Sequence, residues 1–178
     1  TLVVVVMADA LFRFPDYRAA ERAYQVLRQV AGRAGRRERP GKVLIQTFSP
    51  EHPVIRAVQG ILPEDDFLEN ERELRKALAY PPLGRMARVR FESASKEEAS
   101  TRAQAAAHTI ATLGKEGKIE ILGPSEAFLE RAKGLFRWDI LIKSRDIGEL
   151  HRAVQRIRLL SIERKWPYFI DVDPYGVG

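Results

Sequence analysis

Six consecutive apolar residues, Leu2-Val-Val-Val-Val-Met7, open the chain. A run that continuous leaves no polar face for water, so it reads as a strand buried on both faces, as in a parallel sheet covered by helices. A parallel neighbour can be reached only through a crossover. The sequence supplies one. After Asp9 and a Phe-rich loop, Asp16 is placed to cap a helix whose inward positions include Ala20, Tyr24, Leu27 and Ala31. Pro40-Gly41 then leads into a second strand at Val43–Thr47. Strand, helix, strand is a βαβ unit with a right-handed crossover. Because the run begins at Thr1 without a preceding hairpin or helix, the expectation is a fragment whose neighbouring strands lie upstream.

Pro63 followed by Glu64, Asp65 and Asp66 sets acidic charge at a helix N-terminus, where it complements the helix dipole. That helix is predicted to run to about Leu78, before Tyr80-Pro81-Pro82 stops it. From Arg85 the pattern changes. Ala87, Val89 and Phe91 alternate with polar residues, as in a half-buried strand. Ser95 with Glu98 makes a capping box for a helix striped by Ala99, Ala103, Ala106, Ile110 and Leu113. Strand propensity returns at Ile119–Leu122, around Ala127–Leu129 and at Leu135–Lys143, with a turn at Ala132-Lys-Gly134. Asp146 with Glu149 caps a second helix carrying Ile147, Leu150, Val154 and Ile157 inward. A last strand, Trp166–Val172, sets Trp166, Tyr168, Ile170 and Val172 on one face. The predicted fold is α/β plus α+β: a partial βαβ lobe, then a ferredoxin-like split βαβ domain with a four-stranded antiparallel sheet and two helices. Three segments follow, 1–60, an acidic helical connector at 61–84, and 85–178. The first holds ten basic and five acidic residues, the connector three and six, the last seventeen and thirteen.

The net charge of +6 favours an anionic partner, while the absence of cysteine excludes disulfides and zinc-thiolate sites. No secretory signal and no 18-residue apolar span is present, so a cytoplasmic location without a membrane partner is expected.

One octet stands out, Gln29-Val-Ala-Gly-Arg-Ala-Gly-Arg36. On a helix, Gln29, Arg33 and Arg36 fall at i, i+4 and i+7 and point the same way. Two glycines within one turn cost roughly 1 kcal/mol each relative to Ala. Paired arginines on a slim backbone suit a multiply charged anion such as a nucleotide phosphate. The alternative is an ordinary basic helix end, with Gly35 as a left-handed cap.

With the octet, six strings carry a family resemblance: Asp16-Tyr-Arg-Ala-Ala-Glu-Arg22, Gln46-Thr47 with Pro50-Glu-His-Pro53, Tyr80-Pro-Pro82, Leu122-Gly-Pro124, Arg137-Trp138 and Asp171-Val-Asp-Pro174. In this order over nearly the whole chain they resemble superfamily 2 helicases, and among those the replication-restart helicases, the octet matching motif VI. The resemblance implies the end of the second RecA-like lobe followed by the family's C-terminal domain. It implies that Arg33 and Arg36 are catalytic phosphate contacts, Arg36 being the arginine finger, and that Gln29 supports the same ATP site. It further implies ATP and Mg²⁺ as cofactors of the full-length protein, and zinc bound by cysteines this chain lacks. The implied partners are branched and single-stranded DNA, the single-stranded DNA-binding protein, primosome proteins and the first helicase lobe. No G-x-x-x-x-G-K-[ST] loop or Walker B cluster is present, so the chain alone is expected to hydrolyse no ATP.

Arg131, Lys133, Arg137 and Lys143 cluster in or beside one predicted hairpin with Phe136 and Trp138, which suggests DNA contacts. Parity puts Trp138 in the core and Arg137 on the opposite face. His52, His108 and His151 lack metal-ligand spacing, and Asp171 with Asp173 reads as a strand end, so no metal site is expected. Two rival readings remain, a non-catalytic nucleic-acid-binding module and an RNA-directed helicase of the same superfamily.

Overall fold

The computed structural model describes residues 2–14, 16–34, 41–111 and 118–174. These divide into two compact units, Thr1–Leu74 and Arg75–Gly178.

In the first unit β1 (Leu2–Val5) is followed by α1 (Asp9–Phe12), α2 (Ala19–Ala34), β2 (Lys42–Ile45), α3 (Pro53–Val58) and the start of α4 (Glu64–Ala77). β1 and β2 pair in parallel, with Val3 opposite Val43 and Val5 opposite Ile45, so the strand-helix-strand crossover is present. The core is made by Ala23, Tyr24 and Leu27 of α2 against Val54, Ile55, Ala57 and Phe67. Tyr24 and Phe67 meet with ring centroids 4.9 Å apart.

Two expectations fail here. The opening strand is not buried on both faces: Leu2 and Val4 are 60% and 54% exposed, whereas Val5 packs on the core. Among the described residues two strands form this sheet, and Leu2, Val4 and Leu44 on its second face stay more than half exposed. The strand also ends at Val5, before Met7, whose φ of 53° departs from extended geometry. Asp16 does not cap α2 directly. Its buried carboxylate accepts from the Arg18 amide at 3.0 Å and pairs with Arg22 at 2.6 Å, anchoring the approach to the helix.

The second unit contains β3 (Arg85–Ser93), α5 (Lys96–Ala111), β4 (Ile119–Ala132), β5 (Leu135–Ser144), α6 (Ile147–Glu163) and β6 (Tyr168–Val172). The strand order is β4-β5-β3-β6 with every pair antiparallel. Each β-α-β leg therefore has a strand of the other between its own two strands, the interleaved arrangement of a split βαβ sandwich. The helices cover one face, where Ala87, Val89, Phe91, Ile140 and Ile142 meet Ala103, Ala106, Ile110, Leu150, Ala153 and Ile157. Trp138 packs against this core, as its parity requires.

Local differences have physical reasons. β3 is buried on both faces rather than half-buried, because it is a central strand and Met86 and Arg88 on its other face are also covered. β4 runs continuously from Ile119 to Ala132, with register shifts after Leu122 and after Glu126, instead of breaking into separate runs. Ile147 is 60% exposed: it sits in the first turn of α6, while Leu150, Ala153 and Ile157 form the inward stripe. Val172 shares the parity of Ile170 but is half exposed at the end of β6. The capping box forms by half. The Glu98 amide donates to Ser95 Oγ, while the Glu98 carboxylate takes the Ser93 hydroxyl, and Ser93 Oγ accepts from the Ser95 amide. Leu113 lies outside the described residues.

Candidate functional site

Residues 29–34 of the octet occupy the last turns of α2, a helix held down by its Tyr24 and Leu27 face. Gln29 and Arg33 are both exposed, one turn apart on the same side, and neither makes an ion pair among the described residues. A Cβ placed on Gly32 would meet nothing within 4 Å. Nothing within the described chain therefore requires glycine there, although the helix loses about 1 kcal/mol by having it. Gly35 and Arg36 lie outside the described residues.

Near the carboxyl ends of β1 and β2, buried Asp9 ties two loops together by accepting from the Phe48 amide at 2.9 Å. Burial works to raise its pKa, but bonds from the Phe48 amide and the Thr47 and Ser49 hydroxyls outweigh it and hold the carboxyl below its ordinary value. His52 caps α3, its Nδ1 accepting from the Val54 amide at 3.3 Å, and stacks on Phe12 at 4.0 Å. Burial pushes its pKa down against the pull of Asp9. This arrangement orders the loops, and among the described residues it forms no metal-ligand group.

The four hairpin cations separate into two pairs. Arg131 and Lys133 are exposed at the outer end of the β4–β5 hairpin, Arg131 with its guanidinium 5.0 Å from the Phe136 ring centre. Arg137 instead pairs with Glu92 of the neighbouring strand at 2.8 Å. Lys143 is buried, with Nζ 2.9 Å from Glu120 and 3.0 Å from the Leu78 carbonyl, and lies 4.9 Å from the Tyr80 ring centre.

These two belong to a larger pattern on the helix-free face of the sheet. Arg90 forks onto Asp139 with two bonds of 2.7 Å, and Arg88 reaches Asp171 at 3.2 Å. The Asp139 hydrogen bond holds the Arg90 guanidinium above its ordinary pKa. Arg85 meets Asp173 at 2.7 Å, and Asp173 also accepts from the Met86 amide at 3.0 Å. Asp171 and Asp173 thus hold arginines, and among the described residues no group of acidic or histidine side chains is placed to hold a metal.

Sequence reasoning missed a cavity of about 510 Å³ beside the start of α6. Lys118, Glu120, Lys143, Arg145 and Asp146 line it together with the Ala77–Ala79 backbone. Arg145 donates to the Lys76 carbonyl at 3.2 Å. The signal was weak because Lys118 and Arg145 lie 27 residues apart and converge only through strand pairing.

Residues 76–175 match the family model described as the primosomal protein N C-terminal domain. The chain is 40% identical over 177 residues to the replication restart protein PriA of Synechocystis, covering 99% of this chain and 21% of that protein. It is 36% identical over 180 residues to the PriA of Bacillus subtilis, and 33% identical over 176 residues to that of Chlamydia trachomatis, covering 22% and 23% of those proteins. The chain therefore spans about a fifth of the length of these relatives. No described helix is long and apolar enough to cross a membrane.

Proposed function

The chain belongs to the family defined by the primosomal protein N C-terminal domain, and we propose that it is the C-terminal part of an ATP-dependent DNA helicase that recognises stalled or abandoned replication forks and initiates primosome assembly and replication restart. Residues 1–60 are then the end of the second RecA-like lobe, 61–84 the connector, and 85–178 the interaction domain. One observation carries this reading: Gln29 and Arg33 stand exposed on a helix face kept slim by a glycine whose side-chain space is open.

In that role the first helicase lobe presents ATP with its Mg²⁺ to this face. Arg33 and Arg36 meet the phosphates and Gln29 positions them, with Arg36 as the arginine finger. Their guanidinium groups stabilise charge on the transferring phosphoryl group, an effect worth about 10³ to 10⁵ in rate for arginine fingers. Turnover then depends on lobe closure. This chain alone, lacking the phosphate-binding loop, hydrolyses nothing, and the family's zinc is held outside it because it has no cysteine.

DNA contact in the second unit rests on Arg131 and Lys133, which are exposed, while Arg137 and Lys143 are engaged by carboxylates of the sheet. In this role its further partners are the single-stranded DNA-binding protein and primosome proteins, as the family membership suggests.

Replacing Arg36 by Ala in the full-length protein tests the motor reading. ATPase falling about 10³-fold with DNA affinity retained supports it. Unchanged turnover removes it and leaves a nucleic-acid-binding module. Stimulation by RNA equal to that by forked DNA favours the RNA-directed alternative.

A further inference from the structure

The β4–β5 hairpin carries an outer end that the core does not use. β4 lies at the edge of the sheet, and its register with β5 breaks between Glu126 and Arg131. In that interval Phe128 and Leu129 are 65% and 55% exposed. The hairpin closes through Lys133 and Gly134, with φ values of 51° and 82°. Two successive residues with positive φ make the tight turn whose twist matches the flanking strands, so the arm is a stiff ribbon rather than a loose loop.

Charge on the arm is sorted. Glu126 and Glu130 both close on Lys96 at the start of α5, at 2.6 and 2.8 Å. These contacts tether the arm to the domain and offset its acidic charge. Arg131 and Lys133 remain exposed beyond them, and Arg131 is steadied over Phe136. An exposed aromatic residue, Phe128, on the same hairpin arm as two exposed cations matches the two demands of single-stranded nucleic acid, a π surface for a base and positive charge for its phosphates. A duplex offers only its backbone to such an arm, because its bases are already stacked.

We propose that Ala127–Gly134 is a stacking finger for single-stranded nucleic acid, in which Phe128 takes a base face and Arg131 and Lys133 the flanking phosphates. It rests on the reading of Arg131 and Lys133 as DNA contacts and adds a base-stacking residue and a strand preference. The test measures binding of the whole chain to a single-stranded oligonucleotide and to a duplex of equal length, over a range of salt. Phe128→Ala is expected to weaken single-strand binding about tenfold and leave duplex binding unchanged, with Phe128→Trp restoring it. The double variant Arg131→Gln, Lys133→Gln is expected to weaken both, lowering the salt slope on single strands by about 1.4, roughly 0.7 per phosphate. Wild-type single-strand affinity in Phe128→Ala, with the double variant impaired, overturns the finger and keeps the DNA reading. Wild-type affinity in both sets overturns both. Loss of self-association on sedimentation in Phe128→Ala, with binding intact, overturns the finger in favour of a contact between copies. Phe128→Trp also decides the case should the alanine variant fail to fold, since its indole must then preserve single-strand binding and quench a fluorescent base analogue, and absence of both overturns the proposal.

Discussion

On α2 of the first unit, Arg33 stands exposed without an ion pair among the described residues; on the sheet of the second unit, Arg88, Arg90, Arg137 and Lys143 each meet a carboxylate on an adjacent strand. The side chains are chemically alike and their roles differ. A central strand leaves its cations little water, and a buried cation without a partner costs far more than its pairing returns. Each of these four cations is therefore matched across the ladder and serves the fold. A helix end that faces water imposes no such demand on Arg33, which is exposed. Positive charge in a sequence thus becomes a binding argument only after its cross-strand partners are known.

The sharpest way to break this contrast is to remove one sheet cation. Arg90→Ala leaves Asp139, 12% exposed at its side chain, without its forked partner and is expected to cost about 3 kcal/mol in urea unfolding of the second unit. Replacing both members by apolar residues should recover most of that loss. Lys143→Met removes the Glu120 contact and the bond to the Leu78 carbonyl, with an expected loss of about 2 kcal/mol read in the same way. Gly32→Ala tests the other side. With open space at its Cβ, it should stabilise the chain by about 1 kcal/mol in thermal unfolding, while lowering ATPase in the full-length protein if another lobe closes on that face.

Acid sharpens the contrast with a smaller effect. His52 has its pKa lowered by burial, so the unfolded chain binds that proton first, and stability is complete above the ordinary histidine value and falls as the pH drops below about 6.5. Glu98 is held below its ordinary carboxylate value by the Ser93 hydroxyl and Arg102, so its contribution is complete above that value and is lost as the pH falls through the lowered one. Denaturant midpoints against pH should lose the higher step in His52→Gln and the lower step in Glu98→Gln.

Much of this was legible in residue order. Alternation on β5 placed Trp138 inward and Arg137 outward, and both lie there. The period of α5 identified Ala99, Ala103, Ala106 and Ile110 as its buried side. What remained hidden were the pairings. Arg90 and Asp139 lie 49 residues apart, Arg88 and Asp171 lie 83, and only the strand order brings them together. Burial of Lys143 follows from the same cause, because its parity permits either solvent or cover and the Leu78–Tyr80 segment supplies cover. For the opening strand the converse holds: six apolar residues report what a strand can pack against, and among the described residues its one neighbouring strand leaves Leu2 and Val4 exposed.

The most direct test of the division between presented and structural cations is DNA-stimulated ATP turnover by the full-length protein carrying Arg33→Ala, measured beside its thermal unfolding. Turnover is expected to fall about 10³-fold with the melting temperature unchanged. Normal turnover, or a loss fully explained by unfolding, would contradict it.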